Sequence, residues 1–314
     1  MEEVKKVHAE VKSKLHPRNK NNTRYNFDDL IKSCPELKPF VKPNKFNDLS
    51  VDFFNPKAVK ALNKALLFHY YGLKSWNLPE ESLCPPVPGR ADYIHYIADL
   101  LAKIKNKQIP TGKEVKLLDI GTGASCIYPL IGNSDYKWSF IGSDTNEKSV
   151  ESAKTIIEEN KLSDSIEVSL QKDKTNYFKG ILKHNEKIHA TVCNPPFFAT
   201  KKEAEREQLR KLSNLKQKRV TKVDLNFGGQ HDELWCTGGE KKFIREMANE
   251  SKQYRNNCMW FTTLVSRSEH LDNIYQALDA AKAKTIKTIP MGQGNKISRI
   301  VAWTFLSKKE QREF

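Results

Sequence analysis

The spacing of hydrophobic residues divides the chain into two parts. Before residue 113, apolar positions recur at helical spacing in "NPKAVKALNKALLFHYYG" and "ADYIHYIADLLAKIK", which predicts two amphipathic helices. Asn55, Pro56 and Gly72 are typical of an N-cap, a first helical turn and a helix end. The first 50 residues are polar and interrupted by prolines. We therefore expect a basic N-terminal arm at 1–50 and a helical extension at 51–112.

From Val115 onward, short apolar strands alternate with helices. The strands are predicted at "VKLLDI", "WSFIGSD", "IEVSL", "HATVCN", "CMWFTTLV", "KTIKTI" and "SRIVAWTF", with helices between them. This alternation favours an α/β domain at 113–314, with a doubly wound parallel sheet covered by helices on both faces. In such a Rossmann-like sheet, ligands bind outside the carboxyl ends of the strands.

Composition narrows the class of protein. The 314 residues are 38% hydrophobic and 29% charged, as in a globular protein with one large domain and an extension. No apolar run approaches the roughly 18 residues of a membrane span, and the charged N-terminus lacks a signal region. Six scattered cysteines form no CxxC pair, which argues against zinc and disulfides. We expect a cytoplasmic, monomeric protein without metal or membrane contact.

Positive charge suggests a polyanionic partner. The formal net charge is +15, and residues 200–222 hold nine Lys or Arg against three Glu. An excess of this size favours nucleic acid over a membrane. The candidate RNA-binding residues are Arg18, Lys20 and Arg24 in the arm, and Lys211, Lys216, Lys218 and Arg219 in the second basic stretch. The alternative for both stretches is an ordinary solvated surface.

The motif "DIGTG" ends the first predicted strand. Its glycines allow a tight turn and a close approach of the backbone to a nucleotide. Cys126 stands where a GxGxxG dinucleotide motif needs glycine, and no GK[ST] follows. Asp144 ends the second strand, where a carboxylate can accept both hydroxyls of a ribose. This set fits S-adenosylmethionine better than NAD, whereas a purely structural turn is the alternative.

The motif "CNPPFF" follows the fourth predicted strand and lies at the same edge of the sheet. Methylation of the N6 amine of adenine needs acceptors for its N–H groups, because the nitrogen lone pair is delocalised into the ring. The side-chain oxygen of Asn194 and the carbonyl of Pro195 can supply them, and Phe197 can stack on the base. Catalysis of this kind rests on positioning and electrostatics. A strand-ending turn that caps the core is the alternative.

The whole chain from about residue 15 resembles the bacterial 23S ribosomal RNA large-subunit methyltransferase F family. The stretches that carry the resemblance are "LHPRN", "VDFFNPKAVKALNKALL", "LCPPVPGRADYIHYIADLLA", "LLDIGTGASCIYPLIG", "CNPPFF", "LNFGGQHDELWCTGGE", "MWFTTLVSR" and "VAWTF". The resemblance implies a class I methyltransferase with a seven-stranded, mostly parallel sheet whose last strand is antiparallel. It also implies N6 methylation of one adenine in 23S rRNA, free or in an assembling large subunit, with S-adenosylmethionine as cofactor.

The resemblance also assigns roles to single residues. Arg90 would reach the carboxylate end of the cofactor. The turn around Gly121, which includes Asp119 and Gly123, would line the methionine and ribose parts together with Asp144, and Thr175 would lie by the adenine. Asn194, Pro195, Pro196 and Phe197 would form the catalytic loop, with Asn194 also bordering the cofactor.

Four other functions remain open at this point. A more distant resemblance is to the U6 small nuclear RNA adenine-N6 methyltransferases. Enzymes that methylate a glutamine amide in release factors use NPPY-type loops with the same physics, and DNA adenine methyltransferases use similar loops beside a separate recognition domain. A non-catalytic RNA-binding ribosome assembly factor could also keep this fold.

Overall fold

A computed structural model describes residues 15–80, 82–216, 234–293 and 296–314. Its strands are β1 (Val41–Pro43), β2 (Leu49–Val51), β3 (Lys116–Ile120), β4 (Ser139–Asp144), β5 (Ile166–Leu170), β6 (Ile188–Cys193), β7 (Cys258–Val265), β8 (Thr285–Gln293) and β9 (Lys296–Thr304). Its α-helices are α1 (Phe27–Ser33), α2 (Pro56–Tyr71), α3 (Val87–Ala102), α4 (Ile127–Tyr136), α5 (Glu147–Glu159), α6 (Lys201–Lys216), α7 (Gly239–Ser251), α8 (Leu271–Ala280) and α9 (Lys308–Glu313).

Seven of these strands form one sheet in the order β5-β4-β3-β6-β7-β9-β8. Strands β3 to β7 run parallel, and β9 is antiparallel to both of its neighbours. This arrangement confirms the predicted seven-stranded, mostly parallel sheet with an antiparallel last strand. The strand order reverses between β3 and β6, so the crevice at their carboxyl ends is where such a sheet binds ligands.

The helix signals read from the sequence agree with helix α2. The side chain of Asn55 accepts hydrogen bonds from the amides of Lys57 and Ala58, and Gly72 ends the helix at a φ of 71°. Pro56 occupies the first turn, where its missing N–H costs nothing. Helix α3 begins at Val87, four residues before the predicted helix start at Ala91. The earlier start is possible because proline is tolerated in the first turn of a helix.

The core lies on both faces of the sheet. One cluster joins the N-terminal helices to the sheet and includes Trp76, Trp138 and Phe140, all nearly inaccessible to solvent. The other packs α7 and α8 against the opposite face around Phe261 and Trp303, whose rings stack with centroids 5.7 Å apart. Among the helices of the described residues, none is both long and apolar enough to cross a bilayer.

Residues 15–50, which the sequence predicted to belong to a basic N-terminal arm, are packed into the fold. Phe27, Leu30 and Leu37 are buried in the main core, and β1 pairs with β2 in an antiparallel hairpin. The prediction of a separate arm is therefore wrong for this part of the chain. Residues 1–14 lie outside the described part.

The polar residues of this N-terminal segment find partners on α3 and α4. The amide of His16 and the side chain of Asn19 both donate to Oδ1 of Asp92, at 2.9 and 2.5 Å. Arg18 donates to Asp99 at 2.8 Å and, through Nε, to the hydroxyl of Tyr136 at 3.0 Å. A polar sequence is thus compatible with burial, because the acids of α3 satisfy its donors.

Candidate active site

A cavity of about 620 Å³ opens at the carboxyl ends of β3, β4 and β6. Its volume lies in the range of cofactor pockets, roughly 300–1,000 Å³. The sequence-predicted residues that line it are Arg90, Gly121, Gly123, Asp144, Thr175, Asn194 and Pro196. Asp119 and Pro195 are buried and Phe197 is half-buried, outside this lining set.

The glycine turn joins β3 to the end of β4. Gly121 and Gly123 have φ angles of 73° and 65°, and a Cβ on either would meet no atom within 4 Å. The need for glycine is therefore conformational, since side chains disfavour this left-handed region. The amides of Gly121 and Thr122 donate to the carbonyl of Ser143 at 2.9 and 3.0 Å. The turn is held next to Asp144.

Asp144 fixes the turn as well as lining the cavity. Its carboxylate accepts from the amide of Gly123 through Oδ2 and from the amide of Asn146 through Oδ1, both at 2.9 Å. Burial raises its pKa, and the two amides and Lys174 oppose that rise. Each carboxylate oxygen has more than one lone pair, so Asp144 can still accept a ribose hydroxyl.

Asp119 is a second buried acid near the turn. Burial raises its pKa to about 7; the charge of Asp144 adds to the rise, whereas Thr122 and Arg90 oppose it. Neither carboxyl oxygen makes a hydrogen bond of normal geometry to a described residue, although the Thr122 hydroxyl is close enough to favour the charged form. A buried acid without full compensation holds its proton more tightly.

Arg90 connects the glycine-turn side of the cavity with the "CNPPFF" side. Its Nη1 donates to the hydroxyl of Tyr128 at 3.0 Å and to Oδ1 of Asn194 at 3.3 Å. Tyr128 is buried on α4, and its ring lies 5.5 Å from the guanidinium. These contacts hold the side chain of Asn194 at the cavity wall. Arg90, which was predicted to reach the cofactor, is therefore in direct contact with Asn194.

The loop after β6 is tied to the segment at 234–239. Phe198 donates its amide to the carbonyl of Leu234 and accepts at its own carbonyl from Cys236, both at 3.0 Å. A Cβ on Gly239 would come within 3.0 Å of the amide nitrogen of Ala199. Gly239 therefore allows the start of α7 to approach the loop closely. Phe198 itself is buried.

Comparison with known proteins identifies the family. The model of a family described as "RNA methyltransferase" matches residues 9–307. The "Ribosomal RNA large subunit methyltransferase F" of Cytophaga hutchinsonii is 53% identical over 314 residues, covering 100% of this chain and 98% of that protein. The protein of the same name from Flavobacterium johnsoniae is 51% identical, covering 96% of this chain and 97% of its own.

This chain belongs to the RNA methyltransferase family. Solved structures agree with that assignment. The hMettl16 catalytic domain in complex with MAT2A 3′UTR hairpin 1 is 30% identical, with a TM-score of 0.78 and coverage of 94% of this chain and 96% of that one. The N-terminal domain of human METTL16 in complex with SAH is 27% identical, with a TM-score of 0.73. The expected class I methyltransferase fold is thereby confirmed.

The candidate RNA contacts of this methyltransferase differ in their surroundings. Arg18 pairs with the part-exposed Asp99 at 2.8 Å, and Lys20 pairs at 2.6 Å with Asp135, whose side chain is 6% exposed. Arg24 lies 3.5 Å from Asp48. Arg18 and Lys20 thus have structural partners that the sequence did not reveal.

The second set of basic candidates lies in and after α6. Lys211 and Lys216 belong to this helix, whereas Lys218 and Arg219 lie outside the described residues. The first turns of α6 are anchored near the "CNPPFF" loop. Glu203 accepts from the amide of Ala199 and pairs with Arg267, each at 3.0 Å. The basic stretch therefore begins beside the candidate active site of the methyltransferase.

Sequence reasoning missed several residues at this site. Tyr128, Asn146, Lys174 and Tyr177 line the cavity but were not singled out as site residues. Tyr128 stands in "CIYPLIG", the helix that follows the glycine turn, so its position in the chain was a usable signal. Thr175, predicted to lie by the adenine, lines the cavity, and its hydroxyl donates to Asp173 at 2.7 Å.

Proposed function

We propose that this chain uses S-adenosylmethionine to methylate N6 of a single adenine in 23S rRNA. The names of relatives about 50% identical along the whole chain support the rRNA substrate, and an SAH-bound structural neighbour supports the cofactor. The observation that carries the proposal is the position of Asn194 and Pro196 on the wall of the same cavity as Gly121 and Asp144.

The residues of the cavity fit the proposed cofactor. Asp144 offers a carboxylate for ribose hydroxyls, and the Gly121 turn leaves open space where a side chain would otherwise stand. Arg90, also on the cavity wall, provides a cation for the carboxylate group of the cofactor, and Thr175 would border the adenine. When bound, S-adenosylmethionine supplies an electrophilic methyl group. No group of three or more His, Cys, Asp or Glu suited to a metal occurs among the described residues.

The loop would align the amine of the target adenine. The Oδ1 atom of Asn194 and the carbonyl of Pro195 accept the two N6–H groups and stabilise the positive charge that develops on nitrogen. Because an amide oxygen has two lone pairs, Oδ1 can accept from both Arg90 and the adenine. The nitrogen gains the methyl group and then loses one proton to solvent. Phe197 would stack on the flipped base.

A second candidate substrate is another structured RNA. The RNA hairpin bound in the complex of the hMettl16 catalytic domain favours it, since that structure covers 94% of this chain. The same residues would perform the same chemistry, and the two candidates differ only in the RNA that presents the adenine.

The roles of Asn194 and Asp144 can be separated by substitution. We expect Asn194→Ala to abolish methyl transfer with little change in cofactor affinity, because Asn194 aligns the amine. Asp144→Ala should instead weaken cofactor binding by about tenfold to a hundredfold, through loss of charge-assisted hydrogen bonds. Calorimetric titration with S-adenosylhomocysteine and single-turnover methyl transfer at saturating cofactor measure the two effects.

Two outcomes would contradict these roles. One is a loss of activity in Asn194→Ala that saturating cofactor fully restores, because Asn194 would then be a cofactor residue only. The other is unchanged cofactor affinity in Asp144→Ala. The exposed Asp164→Ala variant serves as the matched control for removal of one carboxylate.

A further inference from the structure

Strands β6 and β7 stop pairing before the catalytic loop begins. Their parallel register joins Ile188 to Cys258 and Ala190 to Trp260. Strand β6 continues for three more residues to Cys193, the residue immediately before Asn194. Over these last three residues of β6, side-chain hydroxyls link the two strands in place of regular backbone pairing.

Thr191 and Thr262 make the first of these links. The amide of Thr262 donates to Oγ1 of Thr191 at 2.7 Å, and that hydroxyl donates to the carbonyl of Thr262 at 3.1 Å. In return, Oγ1 of Thr262 donates to the carbonyl of Thr191 at 2.5 Å. Both side chains are fully buried, so each hydroxyl is confined to these partners.

Tyr93 of α3 extends the links to the catalytic loop. Its hydroxyl lies 2.8 Å from Oγ1 of Thr262 and accepts from the amide of Cys193 at 3.3 Å. Since the proton of Thr262 is used on Thr191, Tyr93 must be the donor to Thr262. Burial raises the pKa of the Tyr93 hydroxyl, which keeps this donor protonated. The result is one directed chain of hydrogen bonds from Cys193 through Tyr93 and Thr262 to Thr191.

Helix α3 therefore holds both sides of the junction between Cys193 and Asn194. Tyr93 follows Arg90 by three residues, so the two side chains lie on one face of α3. Tyr93 binds the backbone of Cys193, while Arg90 binds the side chain of Asn194 at 3.3 Å. A helix of the N-terminal extension thus sets the position of a loop about 100 residues away.

We propose that the buried hydroxyls of Tyr93, Thr191 and Thr262 are positioning groups for the catalytic loop. They link β6 to its neighbours where its backbone pairing with β7 ends. In this way they fix the direction in which Asn194 and Pro195 present their oxygens. This inference rests on the proposed function, because it assigns the hydroxyls to alignment of the amine. None of the three side chains lines the cavity itself, so they act on the reacting groups through the loop.

Variants that remove one hydroxyl and keep the side-chain volume test this role. Tyr93→Phe leaves the amide of Cys193 without its acceptor, and Thr262→Val breaks the chain at its middle. We expect each to lower the single-turnover rate of methyl transfer about tenfold to a hundredfold, since small misplacements of reacting groups cost that much. Affinity for S-adenosylhomocysteine and for an unmodified 23S rRNA transcript should stay within about twofold. Thr262→Ser, which keeps the hydroxyl, should restore most of the rate.

A matched control separates positioning from general stability. Tyr71→Phe removes the hydroxyl of another buried tyrosine, which accepts from Asn21 at 3.3 Å and has no contact with the loop. It should lower the thermal midpoint without slowing methyl transfer. An unchanged rate in Tyr93→Phe and Thr262→Val would overturn the inference, as would an equal loss of rate in Tyr71→Phe. If the wild-type chain transfers no methyl group to the transcript or to large-subunit precursor particles, the proposed function itself fails.

Discussion

Asp119 shows how a single residue links the site to the stability of the fold. Its carboxyl is fully buried at the end of β3, and burial raises its pKa to about 7. In the unfolded chain, an aspartate loses its proton near pH 4. Between these two values the folded chain holds a proton that the unfolded chain has released. The stability contributed by the protonated form is therefore complete below about pH 4 and is lost as the pH rises to about 7.

Substitution of Asp119 should remove this pH dependence. We expect the free energy of unfolding of the wild type to fall, relative to Asp119→Asn, by about 2–4 kcal/mol between pH 4 and pH 7. Urea unfolding of the cofactor-free chain at a series of pH values measures this difference, and the exposed Asp164→Asn variant controls for loss of one acid. A constant difference across the series would show that Asp119 is ionised in the folded chain.

Residue types and strand ends were enough to place most of the candidate site. Gly121, Asp144 and Asn194 each lie at the carboxyl end of a predicted strand, and parallel strands bring these ends to one edge of the sheet. The contact of Arg90 with Asn194 spans 104 residues, and that of Tyr93 with Cys193 spans 100. No local pattern reports such contacts, because they depend on how α3 packs across the sheet.

At the scale of elements, capping and periodicity predicted the sheet and the helix α2. The N-terminal segment was misjudged for a physical reason. Its apolar residues Phe27, Leu30 and Leu37 are few, and its polar residues suggest solvent exposure. The acids that accept hydrogen bonds from these polar residues are Asp92 and Asp99 on α3. The sequence around them has the pattern of an ordinary amphipathic helix and does not indicate this role.

Removal of residues 1–46 should therefore destabilise the whole chain. The truncation deletes buried Phe27, Leu30 and Leu37 and leaves Asp92 without its donors, and an unpaired buried polar group is costly. We expect the thermal midpoint to fall by about 10 °C or more, measured by differential scanning calorimetry.

The matched control keeps the segment and changes only its exposed charge. Lys42 and Lys45 are exposed residues of the β1–β2 hairpin. The double substitution Lys42→Ala and Lys45→Ala should leave the thermal midpoint nearly unchanged. A truncated chain that melts at the wild-type temperature would show that residues 15–46 are an independent arm.

At the scale of the whole molecule, charge and shape favour the same substrate class. The net charge of +15 favours a polyanion and raises the rate of encounter with it. The basic stretch that begins at Lys201 starts within a few residues of the proposed catalytic loop, and Glu203 anchors it there. A target base bound in the cavity would therefore have its flanking phosphates near this stretch, in keeping with RNA as the substrate.

The most direct test of the central claim is a methyl-transfer assay that identifies the modified nucleoside. The wild-type chain is incubated with methyl-labelled S-adenosylmethionine and, separately, with unmodified 23S rRNA, large-subunit precursor particles, a structured RNA hairpin and a release factor. The products are digested and separated, with Asn194→Ala as the inactive control. The account predicts label in N6-methyladenosine, at about one methyl group per 23S rRNA, free or in the particle. Label on a glutamine of the release factor, on the hairpin alone, or on any other nucleoside would contradict it.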